Sequence, residues 1–126
     1  MAPLISVVDD DLSVREATAG LLEAHGYLTA AFASGEEFLS SELLKLTSCL
    51  VTDVRMPGMS GVEVQQRLRE AGHSTPIIFM TAHPEKHIFA AAMKGGARGY
   101  LTKPVSEQQL ISCLEGALRG FDDIRK

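Results

Sequence analysis

Five short apolar runs alternate with five amphipathic stretches along the chain, and this alternation constrains the fold more than any other feature. After each run, apolar residues recur at helical spacing. Strict alternation of strand and helix patterns predicts a parallel sheet with helices on both faces and right-handed crossovers. The runs are apolar throughout, as expected for parallel strands buried on both faces. The sequence therefore predicts a doubly wound α/β fold with five strands and five helices, in one domain spanning residues 1–126.

The strands and the starts of the helices can be placed along the chain. The predicted strands cover residues 4–8, 28–33, 49–52, 77–80 and 99–102. Four serines stand three positions before a glutamate or glutamine, a spacing typical of the capping box that begins a helix. These serines are Ser13, Ser34, Ser60 and Ser106. The second helix is expected to continue through Leu43, and the fourth to cover residues 84–94.

Composition and charge narrow the functional classes. The net charge is -4, whereas duplex nucleic-acid binding depends on a basic surface, so we expect no nucleic acid to bind this domain. No apolar run approaches the roughly 18 residues that span a membrane. Cys49 and Cys113 lie in apolar patterns without metal-like spacing, and we expect both to be reduced thiols in or near the core. Reduced cysteines suit a cytoplasmic protein.

Polar residues with distinct chemistry stand where four of the predicted strands end. They are Asp9, Asp10 and Asp11 after the first strand, Asp53 after the third, Thr81 after the fourth and Lys103 after the fifth. In open α/β sheets, ligands bind outside the carboxyl ends of the strands. The sequence therefore predicts that carboxylates, a hydroxyl and an ammonium group converge at one edge of the sheet.

This combination of groups predicts a particular chemistry. Clustered carboxylates repel one another, and a hard divalent cation such as Mg²⁺ relieves the repulsion with oxygen ligands. A carboxylate such as Asp53 can act as a nucleophile and form an acyl phosphate. Lys103 can stabilise charge on a transferring phosphoryl group, and Thr81 can donate a hydrogen bond to it. Alternatively, the aspartates of residues 9–11 only cap a helix, and Asp53 is only a turn residue.

Four motifs in the chain resemble those of response-regulator receiver domains of two-component signalling. The motifs are Val7–Asp11, Thr52–Gly61, Met80–Ala82 and Gly99–Pro104. They occur in the family's order and spacing, and the resemblance covers essentially the whole chain. The second motif is most similar to regulators of the FixJ/LuxR type. The resemblance implies a flavodoxin-like receiver fold with the strand order 2-1-3-4-5.

The resemblance also implies a role for each residue of the acidic edge. Asp53 would be the phosphoacceptor, and Lys103 would pair with the phosphoryl group. Asp9, Asp10 and Asp53 would hold Mg²⁺, directly or through water. The backbone carbonyl of Arg55 would complete the protein ligands.

A switch is implied by the same resemblance. Thr81 and Tyr100 would form the switch pair, with the Thr81 hydroxyl moving to the phosphoryl group and the Tyr100 ring rotating inward. The bond between Lys103 and Pro104 would be a cis peptide. The side chains of Arg55 and His83 would face the phosphoryl group and influence its hydrolysis.

Partners follow from the resemblance as well. A sensor histidine kinase would supply the phosphoryl group. The face formed by residues 84–94, the fifth strand and residues 106–119 would then change and control homodimer formation or partner docking. A C-terminal DNA-binding output domain outside this chain would be controlled in the same way, and the protein would then regulate transcription. We expect that this domain does not bind a membrane.

Two other functions are open to a chain of this kind. One is a small Mg²⁺-dependent phosphohydrolase with an aspartyl nucleophile, which needs a second acidic residue close after the nucleophile. Val54 and Arg55 stand there instead, so we expect no turnover of external substrates and therefore no enzyme beyond self-phosphorylation and self-dephosphorylation. The other is a pseudo-receiver that only binds partners. The complete set of Asp53, Thr81 and Lys103 disfavours it.

Overall fold

The computed structural model describes the backbone of residues 2–125 and the side chains of residues 2–119. Met1 and Lys126, the ends of the expected single domain, lie outside the described residues. Strands and helices alternate as predicted. In chain order they are β1 (Leu4–Val8), α1 (Leu12–Ala24), β2 (Leu28–Phe32), α2 (Gly35–Leu39), β3 (Cys49–Asp53), α3 (Gly61–Glu70), β4 (Ile77–Thr81), α4 (Lys86–Lys94), β5 (Gly99–Thr102) and α5 (Glu107–Arg125).

The five strands form one parallel sheet in the order β2-β1-β3-β4-β5, which confirms the expected topology. Val8 pairs in register with Thr52, and Asp53 pairs with Met80. Thr81 pairs with Thr102 at the far end of β4. The carboxyl ends of β1, β3, β4 and β5 therefore lie side by side along one edge of the sheet.

Two apolar layers cover the two faces of the sheet. Successive strand residues point to opposite faces, so each strand contributes to both layers. One layer is built around Leu50, Phe79, Phe38, Val64 and Leu68. The other is built around Ile5, Val51, Ile78, Leu22 and Leu114. All ten of these residues are almost completely buried, so the central strands are fixed from both sides.

Three of the four predicted helix starts are confirmed. The Ser34, Ser60 and Ser106 hydroxyls each accept a hydrogen bond from the backbone amide three residues on, and Ser60 forms a complete capping box with Glu63. The prediction for Ser13 is wrong, because α1 begins at Leu12 and Asp11 caps it. An aspartate caps as well as a serine, and Asp11 follows the strand more closely.

The second predicted helix does not continue to Leu43. Helix α2 ends at Leu39, and a separate 3-10 helix covers Glu42–Leu46. The Ser40 hydroxyl donates to the Glu36 carbonyl, and the Ser41 hydroxyl accepts from the Leu43 amide. Serine side chains compete for backbone groups in this way and interrupt helices.

Smaller differences occur elsewhere. Strand β2 ends at Phe32, one residue early, and α4 begins at Lys86 instead of residue 84. Cys49 and Cys113 are both free thiols, and burial raises the pKa of Cys49, which keeps it protonated. Within residues 2–125, no helix is long and apolar enough to cross a membrane. The cytoplasmic location stays a prediction.

Candidate functional site

The structure brings the predicted polar residues together at the carboxyl edge of the sheet. Asp53 and Thr81 are the last residues of β3 and β4. Asp9 and Lys103 follow β1 and β5 directly. The strands β1, β3, β4 and β5 are neighbours in the sheet, so the parallel topology places the four residues at one edge, where the Lys103 ammonium group meets the carboxylates of Asp9 and Asp53. Asp10 also reaches this point, whereas Asp11 serves as the cap of α1.

Asp9 is fully buried and held by three neighbours. Its Oδ2 accepts a hydrogen bond of 2.9 Å from Lys103 Nζ. Its Oδ1 accepts one of 2.9 Å from the backbone amide of Asp11. The guanidinium of Arg15 donates to the Asp9 carbonyl at 2.7 Å. A buried carboxylate needs such partners, and here they also fix the turn from β1 into α1.

Asp53 is 8% exposed and lies on the other side of Lys103. Its Oδ1 accepts a hydrogen bond of 2.8 Å from the Val54 amide, and its Oδ2 lies 3.3 Å from Lys103 Nζ. Burial raises the pKa of Asp53; Lys103 opposes this rise and the charge of Asp9 adds to it, so the pKa lies above its ordinary value. The folded protein therefore disfavours the ionised form of Asp53.

Lys103 is the cation between these two carboxylates. Burial alone would lower its pKa, but the hydrogen bond to Asp9 and the charge of Asp53 more than offset this, and the pKa is raised. Lys103 is therefore protonated. The peptide bond between Lys103 and Pro104 is cis, as the resemblance implied.

Gly61 keeps the loop after β3 close to the site. Its amide donates to the Val54 carbonyl at 2.9 Å. A Cβ at this position would collide with the backbone carbonyl of Asp53, so any larger residue would push α3 away from the strand. This lack of space explains why the second motif has a glycine at position 61.

The carboxylates fit a divalent cation. Asp9, Asp10 and Asp53 each offer an oxygen, and these oxygens lie within 4.8 Å of one another. Three carboxylates face one ammonium group, so two negative charges are left for a cation to balance. Oxygen donors of this kind are the ligands that Mg²⁺ prefers. Arg55, whose carbonyl is the expected fourth ligand, lies two residues beyond Asp53 in the same loop.

Thr81 and Tyr100, the expected switch pair, occupy neighbouring strands. Thr81 is buried, and its Oγ1 accepts a 3.1 Å hydrogen bond from the His83 amide. The Tyr100 ring packs between Phe79 and Phe89, with centroids 6.2 and 5.3 Å away. Its hydroxyl is buried and has no hydrogen-bond partner among the described residues. The structure therefore has the inward position of Tyr100 that we expected only after activation.

Sequence reasoning missed two charged residues beside the site. Arg15 supports the Asp9 carbonyl, and Glu85 forms an ion pair with the Arg55 guanidinium, while His87 Nε2 lies 3.4 Å from the Glu85 carboxylate. Both look like ordinary surface residues in the sequence. No local pattern marks them, because their partners come from other parts of the chain.

The profile of the response regulator receiver domain matches residues 5–115. Nodulation protein W of Bradyrhizobium diazoefficiens is 40% identical over 114 residues, which are 90% of this chain and 50% of that protein. Transcriptional regulatory protein FixJ of Azorhizobium caulinodans is 38% identical over 114 residues, 90% of this chain and 54% of FixJ. This chain thus spans about half the length of these curated relatives.

The fold is also found in a solved relative. The crystal structure of FixJ-N has a TM-score of 0.85 and 32% identity, and the alignment covers 94% of this chain and 95% of that chain. These relatives confirm the expected similarity to FixJ, which is named a transcriptional regulatory protein. From the motifs, the fold and these matches together, the chain belongs to the response regulator receiver domain family.

Proposed function

We propose that this chain is a single phosphoacceptor domain that takes a phosphoryl group from a sensor histidine kinase onto Asp53. The observation that carries the proposal is the placement of Lys103 between two buried carboxylates, 2.9 Å from Asp9 and 3.3 Å from Asp53. A structural ion pair needs only one carboxylate. The second carboxylate, that of Asp53, lies at the end of a central strand where its ionised form is disfavoured, and we infer that it is the group that reacts.

The transfer itself is a substitution at phosphorus. A carboxylate oxygen of Asp53 attacks the phosphorus of a phosphohistidine, and the new O–P bond forms as the N–P bond breaks. The electron pair of the broken bond stays on the imidazole nitrogen. Lys103 stabilises the negative charge on the phosphoryl oxygens throughout, because its ammonium group is already aimed at Asp53.

Asp9, Asp10, Asp53 and the carbonyl of Arg55 would hold Mg²⁺. When bound, Mg²⁺ would neutralise charge on the carboxylates and on the transferring group. Asp9 is oriented for this role by Lys103 and by the amide of Asp11. Its fixed position lowers the cost of assembling the site, because the side chain is ordered beforehand.

Labelling of the purified chain tests this proposal. With acetyl phosphate and Mg²⁺, we expect one phosphoryl group per chain, located on Asp53 by mass spectrometry, and no label when EDTA removes the metal. Asp11→Asn is the matched control, because asparagine caps α1 as well as aspartate does and the label should persist. Label on another residue, or none in the wild type, contradicts the proposal.

The signal would leave the site through Thr81 and Tyr100. An unpaired buried hydroxyl costs about 1–3 kcal/mol, and a position of Tyr100 in which the hydroxyl reaches water avoids this cost. This cost favours exchange between two positions, which a switch needs. Movement of the Thr81 hydroxyl from the His83 amide to a phosphoryl oxygen would bias this equilibrium.

Replacing Thr81 with alanine is expected to leave labelling of Asp53 largely intact but to weaken transmission. The reason is that the hydroxyl that senses the phosphoryl group is gone. Beryllofluoride with Mg²⁺ should then change amide exchange over residues 82–105 less than in the wild type. Thr75→Ala, a half-buried threonine away from the site, is the control. A full response of the Thr81→Ala variant would show that the signal takes another route.

The output face would consist of α4, β5 and α5. Phe89 and Met93 on α4 are 47% and 42% exposed, so apolar surface is already available there for a second copy or a partner. The regulatory relatives are about twice as long as this chain. We therefore infer that the face controls homodimer formation or a C-terminal DNA-binding domain, in the cytoplasm.

The phosphohydrolase alternative has less support. Val54 has no ionisable group and the Arg55 guanidinium does not give up its proton, so neither residue after Asp53 can serve as a general acid. A pseudo-receiver that only binds partners would not explain why a second carboxylate, that of Asp53, lies beside Lys103. Signalling through a phosphorylated Asp53 explains both features.

A further inference from the structure

An ion pair joins the two loops that flank the phosphorylation site. Arg55 lies in the loop after β3, two residues beyond Asp53, and Glu85 is the residue before α4. The Arg55 guanidinium pairs with Glu85 Oε1, and His87 Nε2 lies 3.4 Å from Glu85 Oε2. The pair therefore links the segment that carries the acceptor to the first turn of the helix on the output face.

The pair also lies next to the switch tyrosine. Glu85 and Tyr100 line one small cavity, together with Phe89 and Lys86. Burial raises the pKa of the Tyr100 hydroxyl, and the positive charge of Arg55 opposes that rise. That hydroxyl is the buried one without a hydrogen-bond partner among the described residues. Glu85 thus connects Arg55, two residues after the acceptor, to the cavity that Tyr100 lines.

Resting on the function proposed above, we propose that Arg55 is a positioning residue with two alternative partners. Glu85 holds its guanidinium in the unmodified protein, and the phosphoryl group on Asp53 takes it after phosphorylation. The Arg55 and Glu85 side chains are 61% and 29% exposed, and ion pairs at such positions are weak. A phosphoryl group adds about 1.5 to 2 negative charges and oxygens that match the guanidinium fork.

Loss of Arg55 changes how Glu85 and α4 are held. Glu85 makes no side-chain hydrogen bond to cap α4 in the described structure. The Glu85 carbonyl accepts a 2.9 Å hydrogen bond from the Phe89 amide, and its side chain adds a link from this turn to Arg55 in the loop after β3. When Arg55 leaves, the first turn of α4, which carries Phe89 against Tyr100, loses this link and is held less firmly. Phosphorylation would thus reach α4 by a second route that does not pass through Thr81.

Glu85→Gln is the variant that isolates this step, because it removes the charge and keeps the shape. In the unmodified protein, amide exchange in the first turn of α4 should accelerate toward the level that the wild type reaches with beryllofluoride and Mg²⁺. The freed Arg55 also attracts the anionic donor, so labelling by acetyl phosphate should be faster by about two- to five-fold, the range that exposed ion pairs produce.

Arg55→Met provides the second side of a double-mutant cycle. It keeps the backbone carbonyl that is the proposed metal ligand but removes the guanidinium. It should also release α4 in the unmodified protein, but labelling should become slower. In the double variant Arg55→Met/Glu85→Gln, the Glu85 substitution should add nothing further to either measurement. Arg69→Met and Glu70→Gln, exposed on α3, control for loss of each charge.

The outcomes separate this inference from the proposed function. Non-additive effects in the cycle, with both controls behaving like the wild type, support the two-partner arginine. If the wild type is labelled on Asp53 but Glu85→Gln matches the Glu70→Gln control in exchange and in labelling rate, the function stands and this inference is wrong. If the wild type is not labelled at all, both are wrong.

Discussion

Replacing Asp53 with asparagine is expected to abolish phosphorylation by acetyl phosphate completely. Asparagine keeps the shape of the side chain but has no carboxylate oxygen to attack phosphorus. The neighbouring aspartates do not substitute for it. Asp9 is fully buried and its carboxylate is bonded to Lys103 and to the Asp11 amide. The measurement is mass spectrometry of the intact chain after incubation with donor and Mg²⁺.

The same variant is expected to be more stable than the wild type in metal-free buffer near neutral pH. Burial and the charge of Asp9 raise the pKa of Asp53 despite Lys103, so the folded state disfavours the ionised form of this side chain. A raised pKa gives stability that is present at low pH and lost as the pH rises through the folded-state pKa. Asparagine does not ionise, so the variant avoids this loss of stability and gains stability over the wild type at neutral pH. The gain should therefore shrink as the pH falls into the acid range.

Urea denaturation at several pH values, with EDTA present, checks the stability of Asp53→Asn. Asp11→Asn again serves as the control, because the Asp11 side chain caps α1 at the surface and only the backbone amide, which the substitution keeps, contacts Asp9. Remaining label on Asp53→Asn would place the acceptor elsewhere. A loss of stability at neutral pH would show that Asp53 is held mainly by favourable pairing with Lys103.

Replacing Lys103 with methionine is expected to have the opposite effect on stability and a large effect on labelling. Methionine keeps most of the volume but leaves Asp9 buried without its cationic partner. Removing one partner of a buried ion pair is strongly destabilising, and we expect a loss of about 3 kcal/mol in metal-free buffer. Labelling should fall strongly, because no cation then stabilises the phosphoryl oxygens from this side. Urea denaturation and intact-mass labelling measure the two effects.

Two further measurements make the Lys103→Met prediction specific to the acidic cluster. Mg²⁺ should stabilise this variant more than it stabilises the wild type, since the metal then supplies positive charge that lysine no longer provides. The double variant Lys103→Met/Asp53→Asn should recover part of the lost stability, because one carboxylate fewer is left unbalanced. Lys94→Met, at the exposed end of α4, should change stability by no more than about 0.5 kcal/mol. Equal stability of Lys103→Met and Lys94→Met would contradict the electrostatic account of the site.

Much of the site was predictable because the relevant signals are local. A strand of apolar residues ends where a polar residue appears, and in a parallel sheet the ends of the strands meet at one edge. This reasoning placed Asp53 and Thr81 correctly from the sequence, with Lys103 directly after its strand. The serine spacing correctly predicted the capping box at Ser60 for the same reason, since a capping box is formed within four consecutive residues.

Local signals failed where two of them competed. Ser13 has the spacing of a capping residue, but Asp11 has the same ability and stands nearer to the end of β1. The second helix reads as one periodic segment, yet the hydroxyls of Ser40 and Ser41 bind backbone groups and divide it. In both cases the pattern permits two structures, and only the path of the chain decides between them.

The order of residues along the chain was enough to predict the alternation of strands and helices, the edge at which the polar residues gather and the chemical type of each group there. The pairings between these groups depend on how the chain folds. Lys103 and Asp9 are 94 positions apart in the chain, and Glu85 meets Arg55 only because two loops fold toward each other. Burial of the Tyr100 hydroxyl depends on the tertiary fold as well. The physical reason is that periodicity and capping depend on neighbours within a few residues, whereas burial and ion pairing depend on distances in space that no local pattern encodes.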